Sequence, residues 1–330
     1  MEVAFTEWIP VTDASSVGEV RRSALLAGQR LSFDQTRSGE LALLATEVSR
    51  NVLVHGGGGQ VIVAGFRDRD SHLARILALD RGPGIANLAQ AMTDGYSTAG
   101  TMGGGLGAIK RIASGLEIFS GSGGTIVSIE VGDAGPRDGL QIAGMAVPYP
   151  GERVCGDGWM VHRTALKTVA LLVDGIGHGL GAADAAQEAI ATFRQFAEAG
   201  PREILERIHD ALRKTRGAVA AIAEIQPSER TLLFAGVGNI SASLLEPGTS
   251  RGLMSHNGTL GSSQPKIQEL RFPWSSNSIL VMHSDGLQTR WDLEAYAGLA
   301  ARHPAVIGGA LLRDFRRSRD DASVVVIKSK

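Results

Sequence analysis

A single cysteine, Cys155, stands among the 330 residues. No disulfide can therefore form within the chain, and a reducing, cytoplasmic setting is expected. The formal net charge is only -1, which gives no electrostatic reason to expect nucleic acid or an anionic membrane as a partner. No uninterrupted apolar run approaches the ~18 residues of a membrane helix, so no membrane span is expected. The opening residues, MEVAFTEWIPV, lack the basic stretch and apolar core of a secretory signal. Glycine, by contrast, is abundant, with 43 residues. It gathers at 56–59, 82–107, 121–124 and 174–181, which marks loops with particular tasks. With 43% hydrophobic and 20% charged residues, the chain can bury a core in each of about two domains.

The stretch from Asp80 to Gly107 organises the first half. An apolar run, HLARILALD, reads as a strand that carries Asp80 at its C-terminal end. Gly82 and Gly84 follow in a tight turn. Gly103, Gly104, Gly105, Leu106 and Gly107 then open a run with helical spacing through Ile109, Ile112 and Ala113. A glycine loop feeding a helix start presents unpaired N–H groups to an anion, and phosphate is the natural occupant.

Ahead of it, VAFTEWIPV reads as a strand. A helix from Asp13 to Gln29 is expected behind an Asp13/Ser15/Ser16 cap, with Val17, Val20, Leu25 and Leu26 facing inward. A second helix from Asp34 to His55 buries Leu41, Leu44, Val48 and Val52. Glu47, Asn51 and His55 are spaced by four and share another face. Taken alone, that trio reads as a solvated polar edge. QVIVAGF is a further strand, joined to HLARILALD by the polar turn Arg67–Ser71. LEIFS and GTIVSIEV form a hairpin around Gly121–Gly124.

This order of boxes over about residues 1–133 resembles the GHKL ATP-binding domains, above all the anti-sigma and switch-protein serine kinases of the RsbT and SpoIIAB kind. The matching residues are Glu47 and Asn51 in EVSRNVLVHG, Asp80-Arg-Gly82-Pro-Gly84, Gly103–Gly107, and Gly124-Thr125. The resemblance implies that Asn51 holds a Mg²⁺ ion on the phosphates of ATP, that Asp80 accepts from the adenine amino group, and that Glu47 is the general base. The glycines, Leu106 and Thr125 would line the nucleotide site. No histidine-bearing dimerisation segment precedes these boxes, which disfavours a two-component histidine kinase.

DAGPRDG at 133–139 is polar and rich in turn formers. A linker is expected over 134–139, between a domain at 1–133 and a second at 140–330. In the second, QIAGMAVPYP and ERVCGDGWMVH read as strands, the latter interrupted by Gly156-Asp157-Gly158. TALKTVALLVDGIGHG is an apolar strand ending in Asp174-Gly175. Helices are expected from Leu180 to Ala199 and from Pro201 to Arg216, then a run of strands, then helices over Leu293–Ala301 and Ala305–Arg316, and a closing strand ASVVVIK.

Asp157, Asp174, Asp285 and the pair Asp320-Asp321 stand beside glycine or serine. Each alone reads as an ordinary turn. Together, carboxylates at strand ends would build an all-oxygen site for hard divalent cations. GDG at 156–158, VDGIGHG at 173–179, SDGL at 284–287 and DDAS at 320–323 resemble the 2C-type metal-dependent phosphatases of the SpoIIE and RsbX branch. That resemblance implies a pair of Mg²⁺ or Mn²⁺ ions bound by Asp157, Asp174, the Gly175 carbonyl, Asp285 and Asp320, with Asp321 a weaker candidate. Arg153 reads as a surface arginine, with phosphate contact as the alternative. His178 is either a rim histidine or a proton-transfer group. Cys155 reads as packing, Gly236–Asn239 as a tight turn, Trp274 and Trp291 as core or rim, and the arginines of 313–319 as a solvated helix end or a patch for a phosphoprotein.

The expected fold class is α/β (α+β). It pairs a GHKL sandwich, with helices on one face of a mixed sheet, with a 2C-type αββα sandwich. The implied function is a bifunctional switch of bacterial stress or sigma-factor signalling. One half phosphorylates a Ser or Thr of a STAS-type antagonist, and the other dephosphorylates a phosphoprotein. In the alternative, the first half is a non-catalytic nucleotide sensor, or a binder of a sigma-factor regulator, that governs the phosphatase. Oligomeric state is left open.

Overall fold

A computed structural model describes residues 1–68, 71–92, 105–133, 139–262 and 265–330. Asp13 separates strand β1 (Glu2–Val11) from helix α1 (Ala14–Arg30). Its carboxylate accepts from the amides of Ser15 and Ser16, and the Ser16 hydroxyl oxygen accepts from the Asp13 amide. That is a reciprocal capping box. The buried stripe of α1 is Ser16, Val20, Ser23, Ala24 and Ala27, while Leu26 is 41% exposed. Leu26 was expected to face inward. Small residues face the core instead, and they let α1 pack closely on its neighbours. Asp34 caps helix α2 (Gln35–Val54), which buries Leu41, Leu44, Val48 and Val52 as the periodicity predicts.

Strands β2 (Gly59–Asp68) and β3 (Ser71–Asp80) follow. One helical turn, α3 (Leu88–Ala91), lies in the stretch read as loop. Helix α4 (Leu106–Ile112) leads to the hairpin β4 (Gly115–Gly121) and β5 (Gly124–Gly132). The sheet runs β1-β2-β3-β5-β4. Every pairing is antiparallel, where a mixed sheet was expected. Side chains alternate between faces. Val61, Val63, Ile76, Ala78, Val127 and Ile129 join α1 and α2 in one core. Leu77, Leu79 and Ile126 are also buried, on the opposite face.

The rest of the chain begins with β6 (Leu140–Val147), β7 (Asp157–Arg163) and β8 (Thr168–Gly175). Helices α5 (Leu180–Phe196) and α6 (Pro201–Ala211) come next. After them run β9 (Ala218–Gln226), β10 (Thr231–Val237), β11 (Ser241–Glu246), β12 (Thr249–Leu253), β13 (Leu270–Pro273) and β14 (Ile279–His283). Helix α7 (Pro304–Phe315) and β15 (Ala322–Ser329) close the chain. The strands form two antiparallel sheets, β13-β10-β9-β8-β7 and β12-β11-β14-β15-β6. Ala185, Ala189, Phe193, Ile204, Leu205 and Ile208 pack α5 and α6 onto the first of these.

Three expectations change here. Strand β7 starts at Asp157, so Gly156 precedes the strand and does not interrupt it. The helix expected over Leu293–Ala301 shrinks to one 3-10 turn, Leu299–Ala301, behind Gly298 at φ +79. Strand β12 went unread because four of its five residues are exposed and carry no apolar alternation.

The chain divides into two compact units. One is Met1, Arg137–Tyr296 and Asp314–Lys330; the other is Glu2–Pro136 and Ala297–Arg313. Of the segment read as a linker, 134–138 lie outside the described residues. Helix α7, read as part of the second domain, thus falls through Arg313 in the unit of β1 to β5. Every residue from Pro304 to Arg313 is buried.

Within that unit, α7 covers the sheet face opposite α1 and α2. A Cβ on Gly309 would lie 3.1 Å from Leu79 Cδ2, 3.2 Å from Leu77 Cδ2 and 3.4 Å from Ile126 Cγ2. Arg75 bonds Glu130 at 2.6 Å on the same face and lies over the Phe66 ring. Burial pushes the Glu130 carboxyl up, but Arg75 and His303 hold it below its usual range. Arg313 is no solvated arginine: it is buried, Nη1 donates to the Asp80 carbonyl at 3.4 Å, and the Arg81 guanidinium donates to the Arg313 carbonyl.

Gly309→Leu should therefore overpack this layer and cost about 1–3 kcal/mol. A lowered denaturation midpoint in urea checks it; an unchanged midpoint would mean that α7 is loosely seated. Among the described residues no helix is long and apolar enough to cross a membrane.

Candidate nucleotide and metal sites

The last turns of α2 and the end of β3 face one cavity of about 400 Å³. Glu47, Asn51, Asp80, Gly84, Gly105, Leu106 and Thr125 line it together. Gly103 and Gly104 lie outside the described residues, and Gly82 and Gly107 are not part of the lining. Gly82 acts one step back: its amide donates to Asp80 Oδ1 at 2.9 Å. The Thr125 amide donates to the same oxygen at 3.0 Å. Oδ2 has no hydrogen-bond partner among the described residues. Gly84 is held at φ +79, and a Cβ there would meet the Gly121 carbonyl oxygen at 2.2 Å, so only glycine closes this turn. Ser120 Oγ joins Thr125 Oγ1 at 2.9 Å and accepts from the Ile85 amide at 2.8 Å, which ties the turn to the β4–β5 hairpin. Gly105 caps α4 without a side-chain bond, and its carbonyl accepts from the Ala108 amide at 2.9 Å. An apolar floor of Ala78, Val127 and Leu106 beside a carboxylate acceptor suits a flat base with an exocyclic amine. Glu47 and Asn51 stand on the wall formed by α2.

In the other unit, Asp157 and Asp174 face each other directly across β7 and β8. Like charges in that position repel. Asp285 follows β14 and Asp320 precedes β15, and those strands are neighbours. Asp157, Asp285 and Asp320 lie near enough to Asp174 for their charges to act on it. Burial, first of all, pushes the Asp174 carboxyl well above its usual range, and the charges of Asp157, Asp285 and Asp320 add to it. Burial also raises Asp157, against the hydroxyls of Ser284 and Ser323, with Asp321 and Asp320 adding repulsion. Asp320 is raised by burial and by Asp285.

Asp157 Oδ2 is buried and has no hydrogen-bond partner among the described residues. An orphaned acceptor costs about 1–3 kcal/mol, and a cation resting on it removes that cost. The donor set is all oxygen, so the residues fit a hard divalent ion. Among the described residues, no three His, Cys, Asp or Glu side chains converge as a ready-made ligand set. Asn239 Nδ2 donates to Asp285 Oδ2 at 2.7 Å, and Asp320 Oδ1 accepts from the Asp321 amide at 3.0 Å. Mg²⁺ keeps several waters and needs only one or two carboxylates, so a closed cage is not required. Gly175 donates its amide to the Gly156 carbonyl at 3.0 Å, and a Cβ there would meet the Ala182 carbonyl oxygen at 2.2 Å.

The remaining candidates separate cleanly. Asp321 is buried and accepts from the Tyr149 amide at 2.8 Å. Cys155 is half-buried, and its thiol is pushed well above its usual range by burial and by Asp157 and Asp321, which makes it a poor nucleophile. His178 is exposed, stacked on Tyr149 at 4.5 Å, with Nδ1 3.2 Å from Glu152 Oε1. Trp274 donates to Ser329 Oγ at 3.1 Å and Trp291 to His283 Nε2 at 3.2 Å, both structural bonds. Asn239 was read only as part of a turn. Its signal was a lone amide at the end of β10, the same kind of strand end that carries the aspartates.

Residues 165–330 match the family model described as Stage II sporulation protein E (SpoIIE), and residues 10–131 match that of a histidine kinase-like ATPase domain. The chain is 30% identical over 118 residues to the serine/threonine-protein kinase RsbT of Bacillus subtilis (strain 168), covering 36% of this chain and 84% of that one. It is 26% identical over 138 residues to the phosphoserine phosphatase RsbX of the same organism, covering 42% and 69%. The solved structure of RsbX in complex with magnesium shares the fold, with a TM-score of 0.54 and 22% identity over 60% of this chain and 99% of that one.

Proposed function

We propose that this chain, which belongs to the SpoIIE family of metal-dependent serine/threonine phosphatases and carries a histidine kinase-like ATPase domain, both adds phosphate to and removes it from a protein partner. Its relatives divide these tasks between a kinase, RsbT, and a phosphatase, RsbX. Here both stand on one chain: the kinase-like part over 1–133, with α7 on its sheet, and the phosphatase part over the rest of 140–330. The partner is a STAS-type antagonist in a sigma-factor switch, met in the cytoplasm.

In the phosphatase part, Asp157, Asp174, Asp285, Asp320 and the Gly175 carbonyl would hold two Mg²⁺ or Mn²⁺ ions. A bound cation pair supplies Lewis-acid polarisation of a phosphoryl oxygen and an acidified water. Asn239 fixes the orientation of Asp285. In the kinase part, Asp80 would accept from the adenine amine and Asn51 would hold Mg²⁺, with Gly84, Gly105, Leu106 and Thr125 lining the nucleotide cavity. Glu47 stands one helical turn from Asn51 and takes the proton of the attacking serine or threonine hydroxyl. The observation that carries the kinase reading is that Glu47 shares the cavity with Asn51 and Asp80.

A second reading makes the first half a nucleotide sensor for the phosphatase. What favours it is chain connectivity: α7, whose Arg313 reaches the Asp80 carbonyl, continues directly into Asp314 of the other unit. Glu47→Ala separates the two. On the kinase reading, ATP affinity stays within about twofold while partner phosphorylation falls about 100-fold or more, the usual worth of a general base. Labelled ATP with candidate STAS proteins measures both. Phosphorylation undiminished in Glu47→Ala leaves only the sensor.

A further inference from the structure

Arg216 lies just before β9, whose pairing with β8 runs Asp174 to Val219 and Gly175 to Ala218. The pairing continues one step beyond the strands, where the Ile176 amide donates to the Gly217 carbonyl at 3.1 Å. Arg216 therefore comes level with Gly177, at the edge of the loop that carries Asp174 and Gly175. Its guanidinium rests on the first turn of α5, with Nη1 beside Gly177 of that loop. A Cβ on Gly181 would lie 2.5 Å from Arg216 Nε and 2.7 Å from Cζ, and one on Gly177 would lie 3.6 Å from Nη1. The bare glycine at 181 is what leaves room for the guanidinium there.

The charge is also unspent. Nearby arginines on or after α6 are paired: Arg202 with Glu206, Arg207 with Glu203, Arg213 with Asp210. Arg216 is exposed and has no ion pair or hydrogen bond among the described residues. A guanidinium is a planar fork that matches two phosphate oxygens at once. It is held against a backbone seat beside the carboxylate cluster, with its charge open to an incoming anion.

We infer that Arg216 binds the phosphoryl oxygens of the phosphoserine or phosphothreonine substrate at the Asp174–Gly175 edge of the metal site. The inference rests on the phosphatase reading and adds to it the residue that grips the substrate's phosphate. Arg153, which the sequence offered for that contact, is exposed on the loop before Cys155 and serves as the control.

The test uses the full chain with Mn²⁺ and a phosphoserine peptide, comparing wild type, Arg216→Ala, Arg216→Lys and Arg153→Ala. Arg216→Ala should raise KM and the inhibition constant of inorganic phosphate together by about 10- to 100-fold, the worth of a charge-assisted bond. Arg216→Lys should recover part of both, and Arg153→Ala should stay within about twofold of wild type on the same scale. Calorimetric titration of the Mn²⁺-loaded protein with inorganic phosphate should show the same loss in Arg216→Ala without turnover. The inference falls if Arg216→Ala changes neither constant, if KM rises while phosphate inhibition does not, or if excess Mn²⁺ abolishes the defect. Inactivity of the wild-type chain in this assay would instead remove the phosphatase reading, and the inference with it.

Discussion

Asp174→Asn should lower metal-dependent phosphate release by about 100-fold or more, yet leave the cation-free protein at least as stable as wild type. The first half follows from chemistry: a bound cation contributes several kcal/mol to such a hydrolysis, and each 1.36 kcal/mol is tenfold in rate. The second half follows from packing. Asp174 stands directly across from Asp157 and close to Asp285 and Asp320, with burial and these charges acting against its ionised form. Asparagine has nearly the same shape and no charge, so it relieves a repulsion worth up to about 1 kcal/mol for a cross-strand pair. Mn²⁺ should raise the melting temperature of wild type and do so far less in the variant, because ligand bound only to the folded state stabilises it. Phosphate release within a few-fold of wild type would remove Asp174 from the metal site. A clear loss of cation-free stability would mean that the carboxylate serves the fold.

Asp80→Asn is the matching experiment for the other cavity. One oxygen of Asp80 already takes the amides of Gly82 and Thr125. The amide oxygen of asparagine can keep both bonds, so the turn survives. The remaining position changes from an acceptor to an NH₂ donor, which then confronts the amino group of adenine. Losing a charge-assisted bond and leaving two donors opposed should weaken ATP binding by about 10- to 100-fold. Calorimetry with ATP reads it directly, and melting temperature without nucleotide controls for folding. An affinity within threefold of wild type would place the adenine elsewhere.

Much of this arrangement was readable in the chain. The stripe Leu41, Leu44, Val48 and Val52 fixed α2, and α2 in turn places Glu47 and Asn51 four residues apart on one wall. Strand ends bearing Asp80, Asp174 and Asp285 were visible as apolar runs that stop at an acid. What escaped had no periodic signal or depended on distant partners. Leu26 looked like core because it is large, while the close contacts of α1 are made by Ser23, Ala24 and Ala27. Strand β12 has almost no apolar residues. Asn239 and Arg216 acquire meaning only when folding brings them to Asp285 and Gly181. Ala305 to Leu312 is apolar nearly all round, which announces deep burial but not which sheet receives it.

That last helix has a consequence for biogenesis. During synthesis the sheet of β1 to β5 is complete long before α7 emerges, because Arg137–Tyr296 must be made in between. At about 5–20 residues per second that interval lasts roughly 10–30 s. Throughout it, Leu77, Leu79 and Ile126 lie bare on the nascent chain. Ribosome-bound intermediates should therefore stick to one another or to chaperones until residue 313 clears the exit tunnel, and the amino-terminal layer should be among the last parts of the molecule to lock.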